Sequence, residues 1–204
     1  MDDSRAKVAL VSSYVRFSVG CSNVTQISKA VVFASEAHAD QRRKYTDESY
    51  IVHPIEVMGI LAAHGVTDDN VLAAALLHDV LEDTDSTWQM MLEVGINNTV
   101  VNLVLEVTDV SKPEDGNRAT RKAIDRDFLA NASPNGQSIK LADLISNTSN
   151  IVEHDPGFAK VYLEEKAKLL DVMVNGEASL YARARSLLEA CQEHLLQEAL
   201  KNDA

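Results

Sequence analysis

The stretch LLHDVLEDTDST, positions 76–87, sets one histidine and several acids beside an apolar run; His78, Asp79, Glu82 and Asp83 are the residues that could do chemistry. On a helix, residues four apart share a face, so His78 pairs with Glu82 and Asp79 with Asp83. His78 and Asp79 stand about 100° apart at roughly 3.6 residues per turn, and both can reach one ion at the helix edge. An imidazole with a carboxylate is half of a divalent-metal site. Glu82 and Asp83, one turn on, would then face a water on the metal. Read alone, a core histidine followed by a solvated acidic helix end explains the stretch equally well.

Two other stretches change that balance. QRRKYTDESYIVHP, positions 41–54, puts His53 directly before a helix-starting proline, and KLADLISN, positions 140–147, puts Asp143 on another helix. His53, His78, Asp79 and Asp143 make a set of two imidazoles and two carboxylates. Such a set suits a catalytic divalent ion with positions left for water and a phosphate oxygen, and it accepts manganese, iron, cobalt or zinc. Arg42, Arg43 and Lys44 read alone as a solvated basic loop. Beside a metal set they become a grip for phosphates, which Arg can hold bidentately.

These residues need elements to position them, and helical periodicity dominates the chain. Residues 26–39 place Ile27, Ala30, Val31, Ala34 and His38 on one side. A basic, polar loop over 40–53 leads to Pro54, which suits a first helical turn. That helix runs to about Ala63, with Gly65 as its stop. Asp68 or Asp69 caps a continuous helix VLAAALLHDVLED, apolar almost all round and hence central. Ser86 with Gln89 matches a capping box for the next helix. Residues 97–108 fit a helix better than a strand. After the loop 109–117, helices are expected at 118–132, 137–149, 157–174 and 177–202. Turns at Ser133-Pro134-Asn135-Gly136, Asp155-Pro156-Gly157 and Asn175-Gly176 separate them. The fold class is all-α. Residues 1–24 form a segment of uncertain order, 25–175 the main domain, and 176–204 a charged helix packed on it or appended, or an oligomer contact.

The bulk numbers agree. The chain has 204 residues, 46% hydrophobic and 25% charged, enough for one compact domain. Its formal charge of −12 should repel nucleic acid and anionic membranes. Cys21 and Cys191 match no paired motif and read as reduced thiols. No run reaches membrane-spanning length, and the start of the chain makes a poor signal peptide. A cytoplasmic protein is expected. His38 reads as packing or as support for the site, His64 as a helix C-terminal residue favoured by the dipole, and His154 and His194 as surface. Trp88, Met90 and Met91 read as core.

Together the motifs QRRK, YIxHP, AALLHDxxED followed by threonine, EVTD, Arg121-Lys122 and SP…KLAD…N resemble the HD superfamily of metal-dependent phosphohydrolases. More narrowly they are similar to the hydrolase domain of the RelA/SpoT family, especially its small stand-alone members of the Mesh1 type. The resemblance covers roughly residues 26–165. It implies an HD-domain helical bundle with His53, His78, Asp79 and Asp143 as metal ligands and manganese as the usual ion. It implies that Glu82 and Asp83 activate or orient the attacking water. Arg42, Arg43 and Lys44 would contact the nucleotide and phosphates, and Asn147 the substrate. The implied reaction removes the 3′-pyrophosphate of guanosine tetra- or pentaphosphate. The implied partner is this small nucleotide, and synthesis of the alarmone is not expected of the chain.

Several positions depart from the family pattern. Leu144 stands where a basic residue is common, Ser146 where an aromatic is, Gln137 where a lysine is, and no arginine follows Asn147. An aromatic usual on the next helix falls at Glu164, with Tyr162 close by. The departures motivate two alternatives. One is an HD phosphohydrolase for another nucleotide, such as an adenosine 3′-pyrophosphate, a nucleoside monophosphate or a phosphorylated dinucleotide. The other is a non-catalytic nucleotide sensor.

Overall fold

Polar side chains at the helix starts lay out the chain. In the computed structural model, which describes residues 24–202, Thr25 accepts from the Ser28 N–H and opens α1, Gln26–Ala37. Helix α2, Val52–Ala63, starts without a side-chain cap and holds Pro54 in its first turn, where a missing N–H is harmless. It ends at His64, the C-cap residue, followed by Gly65 at φ +85°. That left-handed conformation is one glycine adopts freely, and it stops the helix. Asp68 caps α3, Asp69–Leu77. Residues 1–23, with Cys21 and the N-terminal segment, lie outside the described residues.

The continuous helix expected through 83 is broken. Helix α3 ends at Leu77, and a short α4, Val80–Asp83, begins after the pair His78-Asp79. Both residues keep right-handed dihedrals, but Asp79 sits at φ −96° and ψ −7°, in the sparsely allowed bridge region where site residues gather. The amides of Glu82 and Asp83 turn to the Asp79 carbonyl to start α4. The His78–Asp79 pair is therefore aimed by a helix break and not by a helix face.

The next cap also differs. Thr87, one residue after the expected Ser86, accepts from Met90 N–H and starts α5, Trp88–Glu93. Met91 is buried as expected, whereas Trp88 is 42% exposed and is not core. Asn97 caps α6, Asn98–Val107, a helix as expected.

The chain divides into two compact units, Met1–Thr108 and Asp109–Ala204. In the first, α3 is central: α1, α2 and α6 all pack on it. Ala73, Ala74, Ala75, Leu76 and Leu77 are buried, as are Ala30 and Ala34 of α1. Small side chains on two packed helices let the backbones come close. Phe33 of α1 is buried too, while Ile27 and Val31 stay half-exposed. Each fully buried leucine contributes about 1.5–3 kcal/mol over its exposed state.

The second unit begins with a loop holding a 3₁₀ turn, Pro113–Asp115. Asp125, buried, fastens this loop by accepting from the amides of Val110 and Ser111 and from the Ser111 hydroxyl. Helices α7, Arg118–Leu129, α8, Pro134–His154, α9, Pro156–Leu170, and α10, Ala178–Asn202, follow. The expected turn at 133–136 is instead the first turn of α8. Ser133 caps it, accepting from Gly136 N–H, and Pro134 is its first residue. Helices α8 and α9 meet at Asp155, which ends one and caps the other. Helix α10 packs on α8 and α9 through Leu180, Ala184 and Leu188. Its lead-in presses on α8 at Gly176, where a Cβ would lie 2.6 Å from Leu141 Cδ1. Among the described residues there is no strand, only an isolated antiparallel bridge between Arg42 and Ser49.

Candidate metal centre

In the first unit the break after α3 brings His78 and Asp79 opposite His53 in the first turn of α2. Both histidines are buried. Each Nε2 faces the same oxygen, Asp79 Oδ2, at 3.5 Å from His53 and 3.1 Å from His78. One ring nitrogen from each histidine lies within 4.8 Å of the other's, and the rings meet edge to face at 5.1 Å.

The chemistry of these donors fits a divalent cation. His78 Nδ1 donates to the Ala75 carbonyl at 2.8 Å. That bond fixes the tautomer and leaves the Nε2 lone pair directed at the carboxylate. A lone pair facing an anionic oxygen at this distance is repulsive unless a proton or a metal stands between them. Imidazole nitrogens with a carboxylate oxygen suit manganese, iron, cobalt or zinc.

Tyr50, quoted in the YIxHP motif but given no role there, belongs to the same cluster. Its hydroxyl lies 2.7 Å from Asp79 Oδ2 and 3.0 Å from Asp83 Oδ2. Loss of solvent, then the charges of Asp79 and Asp83, raise its pKa far beyond the ordinary tyrosine range, so it stays a proton donor. His38 stacks against Tyr50 with ring centroids 4.6 Å apart. Its Nδ1 donates to Gln41 Oε1 at 2.6 Å, and the Gln41 amide donates to the Asp83 carbonyl. His38 thus packs beside the site and supports it, as its position in the sequence suggested.

Glu82 and Asp83 occupy α4 and are exposed. Although Asp83 is exposed as a residue, loss of solvent around its carboxyl and the nearby Asp79 charge raise its pKa. Arg42 and Lys44 are exposed and Arg43 half-buried, on a loop closed by the bond from Arg43 N–H to the Glu48 carbonyl. Lys44 Nζ lies 4.7 Å from the centre of the Tyr45 ring. The loop is fastened beside α4 through Gln41.

In the second unit Asp143 is buried on α8. Asn147, one turn later, donates to its Oδ1 at 2.6 Å, and Lys140 Nζ lies 3.8 Å from its Oδ2. Asn147 therefore orients Asp143, a job its spacing of four allows. Lys122 pairs with Asp109 at 2.7 Å. Burial drives the Lys166 pKa down, with Lys140 and Lys122 adding to the shift against the pull of Asp143 and Asp109.

Three of the positions that depart from the family pattern are buried, Gln137, Leu144 and Ser146, whereas Glu164 is exposed. Gln137 is a clamp. Its amide donates to the carbonyls of Ala130 and Ala132, and its Oε1 accepts from Asn175 N–H. His154 and His194 are exposed, and Cys191 is a free, half-buried thiol. No described helix is long and apolar enough to cross a membrane.

Known proteins share this pattern. The HD domain family matches residues 30–132. The chain is 32% identical over 180 residues to guanosine-3′,5′-bis(diphosphate) 3′-pyrophosphohydrolase MESH1 of Xenopus tropicalis, covering 87% of this chain and 96% of that one. It is 35% identical over 182 residues to the MESH1 of Homo sapiens, covering 88% and 98%. A solved structure described as a metazoan ortholog of SpoT that hydrolyzes ppGpp superposes with a TM-score of 0.73 at 28% identity, over 82% of this chain and 96% of the other. The all-α architecture, the histidines converging on Asp79 and the length-wide similarity lead to one assignment: the chain belongs to the HD domain family, among its Mesh1-type members.

Proposed function

We propose that this chain is a metal-dependent hydrolase that removes the 3′-pyrophosphate of guanosine tetra- or pentaphosphate, releasing pyrophosphate and GDP or GTP. The observation that carries the reading is the convergence of two buried histidine Nε2 atoms on one oxygen of Asp79, in a chain related over nearly its whole length to pyrophosphohydrolases of this name.

His53, His78 and Asp79 hold the ion, and Asp143 is the fourth ligand by its match to the family's KLAD motif. Manganese is the ion proposed. Such an ion lowers the pKa of a bound water toward neutrality and polarises a phosphoryl oxygen. Hydrolysis breaks the bond between the ribose 3′-oxygen and phosphorus. One proton leaves the attacking water, and one must reach the departing 3′-oxygen. Glu82 and Asp83 are the carboxyl pair that handles these transfers and orients the water. Arg42, Arg43 and Lys44 neutralise phosphate charge that a chain of net charge −12 would otherwise repel, and Asn147 holds Asp143 while facing the substrate. The hydrolase domain spans 25–175, with the helix of 176–204 packed on it or appended to it. A cytoplasmic location fits two cysteines that match no paired motif in the sequence, and the exposed Leu196 and Leu200 of α10 are where a homo-oligomer would form.

Gln137, tied to three backbone groups, offers little to a base, which weakens the case for a different nucleotide. The test is a nucleotide panel with added manganese, run on the full chain beside Asp79→Ala. Pyrophosphate release from guanosine tetraphosphate by the wild type alone is expected. No turnover by manganese-loaded protein would reject the reading, and turnover confined to an adenosine nucleotide would reject the substrate.

A further inference from the structure

We propose that Tyr50 is a positioning residue of the metal centre, its hydroxyl holding the Asp79 carboxylate in the ligating orientation and tying it to Asp83. The inference rests on the metal-dependent reading above.

Three observations meet at this side chain. First, the hydroxyl contacts Asp79 Oδ2, the same oxygen that both histidine Nε2 atoms face. A hydrogen bond to a ligating carboxylate sets its rotamer and its basicity, which is how outer groups tune a metal site. Second, the hydroxyl has one proton and two carboxylate neighbours, at 2.7 Å and 3.0 Å. The shorter contact makes Asp79 the main acceptor and keeps Asp83 on the same strut. A shift of the Asp83 side chain is therefore felt at Asp79. Third, the ring cannot swing away cheaply. It is stacked on His38 and set edge-on to His53 at 5.9 Å, and its backbone amide donates to the Gln41 carbonyl at 3.1 Å. Gln41 in turn is bonded to His38 and to the Asp83 carbonyl. The network grips Tyr50 from its ring and its main chain and leaves only the hydroxyl directed at the acids.

Tyr50→Phe tests this, because it keeps the ring and removes one oxygen. Manganese binding to metal-stripped full-length protein is measured by titration calorimetry for the wild type, Y50F and D79A. The expected result is binding by the wild type, none by D79A, and a roughly 10–100-fold weaker affinity for Y50F. The manganese-induced rise in melting temperature, read against each variant's own metal-free state, gives the same order and is insensitive to a general loss of stability. Equal affinity for Y50F and wild type overturns the positioning role and leaves the hydrolase reading intact. No manganese binding by the wild type overturns both.

Discussion

The imidazole of His78 gives its Nδ1 proton to the carbonyl of Ala75, 2.8 Å away and one turn back along α3. That bond decides which nitrogen remains for a metal. It uses a carbonyl at the end of α3 that the helix itself no longer satisfies, since α3 stops at Leu77. The same break that frees the carbonyl aims the imidazole.

Removing a proposed ligand should therefore remove the ion. Asp79→Ala is expected to lose bound manganese and, with it, activity by more than the roughly 10–100-fold typical for an outer-shell change. Metal content after equilibrium dialysis, measured beside turnover, checks this. An active variant without metal would contradict it.

Glu82 should behave differently. It lies on α4, beyond the break, and is exposed. Glu82→Gln should keep manganese affinity and the fold while kcat falls by about 10²–10⁴-fold, the range for a lost general acid or base. The informative comparison is kcat against metal content in one preparation.

Gln137 separates a structural from a recognition role. Gln137→Ala empties a buried position on α8 and removes the bonds to the Asn175 amide and the carbonyls of Ala130 and Ala132. A loss of about 1–3 kcal/mol in urea unfolding is expected, with the preference for guanosine over adenosine substrates unchanged. Altered preference at unchanged stability would assign Gln137 to the substrate.

Asp109 predicts an acid-side dependence of stability. Burial opposes its ionisation, yet Lys140, Lys122 and Lys166 together outweigh that cost and hold its pKa below the ordinary 3.8. The unfolded chain thus takes up the proton first as pH falls. The stabilisation is complete above the unfolded value and is lost as pH drops through the folded one. Urea unfolding from about pH 6 down to about pH 2 should show a shallower loss for Asp109→Asn than for the wild type. Equal slopes would count against the ion network.

Much of the molecule was legible in the residues themselves. Helix identities followed from spacing, and the start of α3 followed from its cap Asp68, because these signals act within one turn. That His53, His78 and Asp79 belong together could be proposed from residue type, because a metal restricts which side chains can serve it, and the three do meet in space. Local pattern could not show that α3 breaks at His78-Asp79, since both residues keep helical dihedrals and the apolar run continues past them. Nor could it give Tyr50 its partners, which lie 29 and 33 positions away. Residue type and spacing determined which groups are present for the chemistry. Tertiary packing decided which oxygen they share, because long-range contacts place a side chain where no neighbour in sequence can.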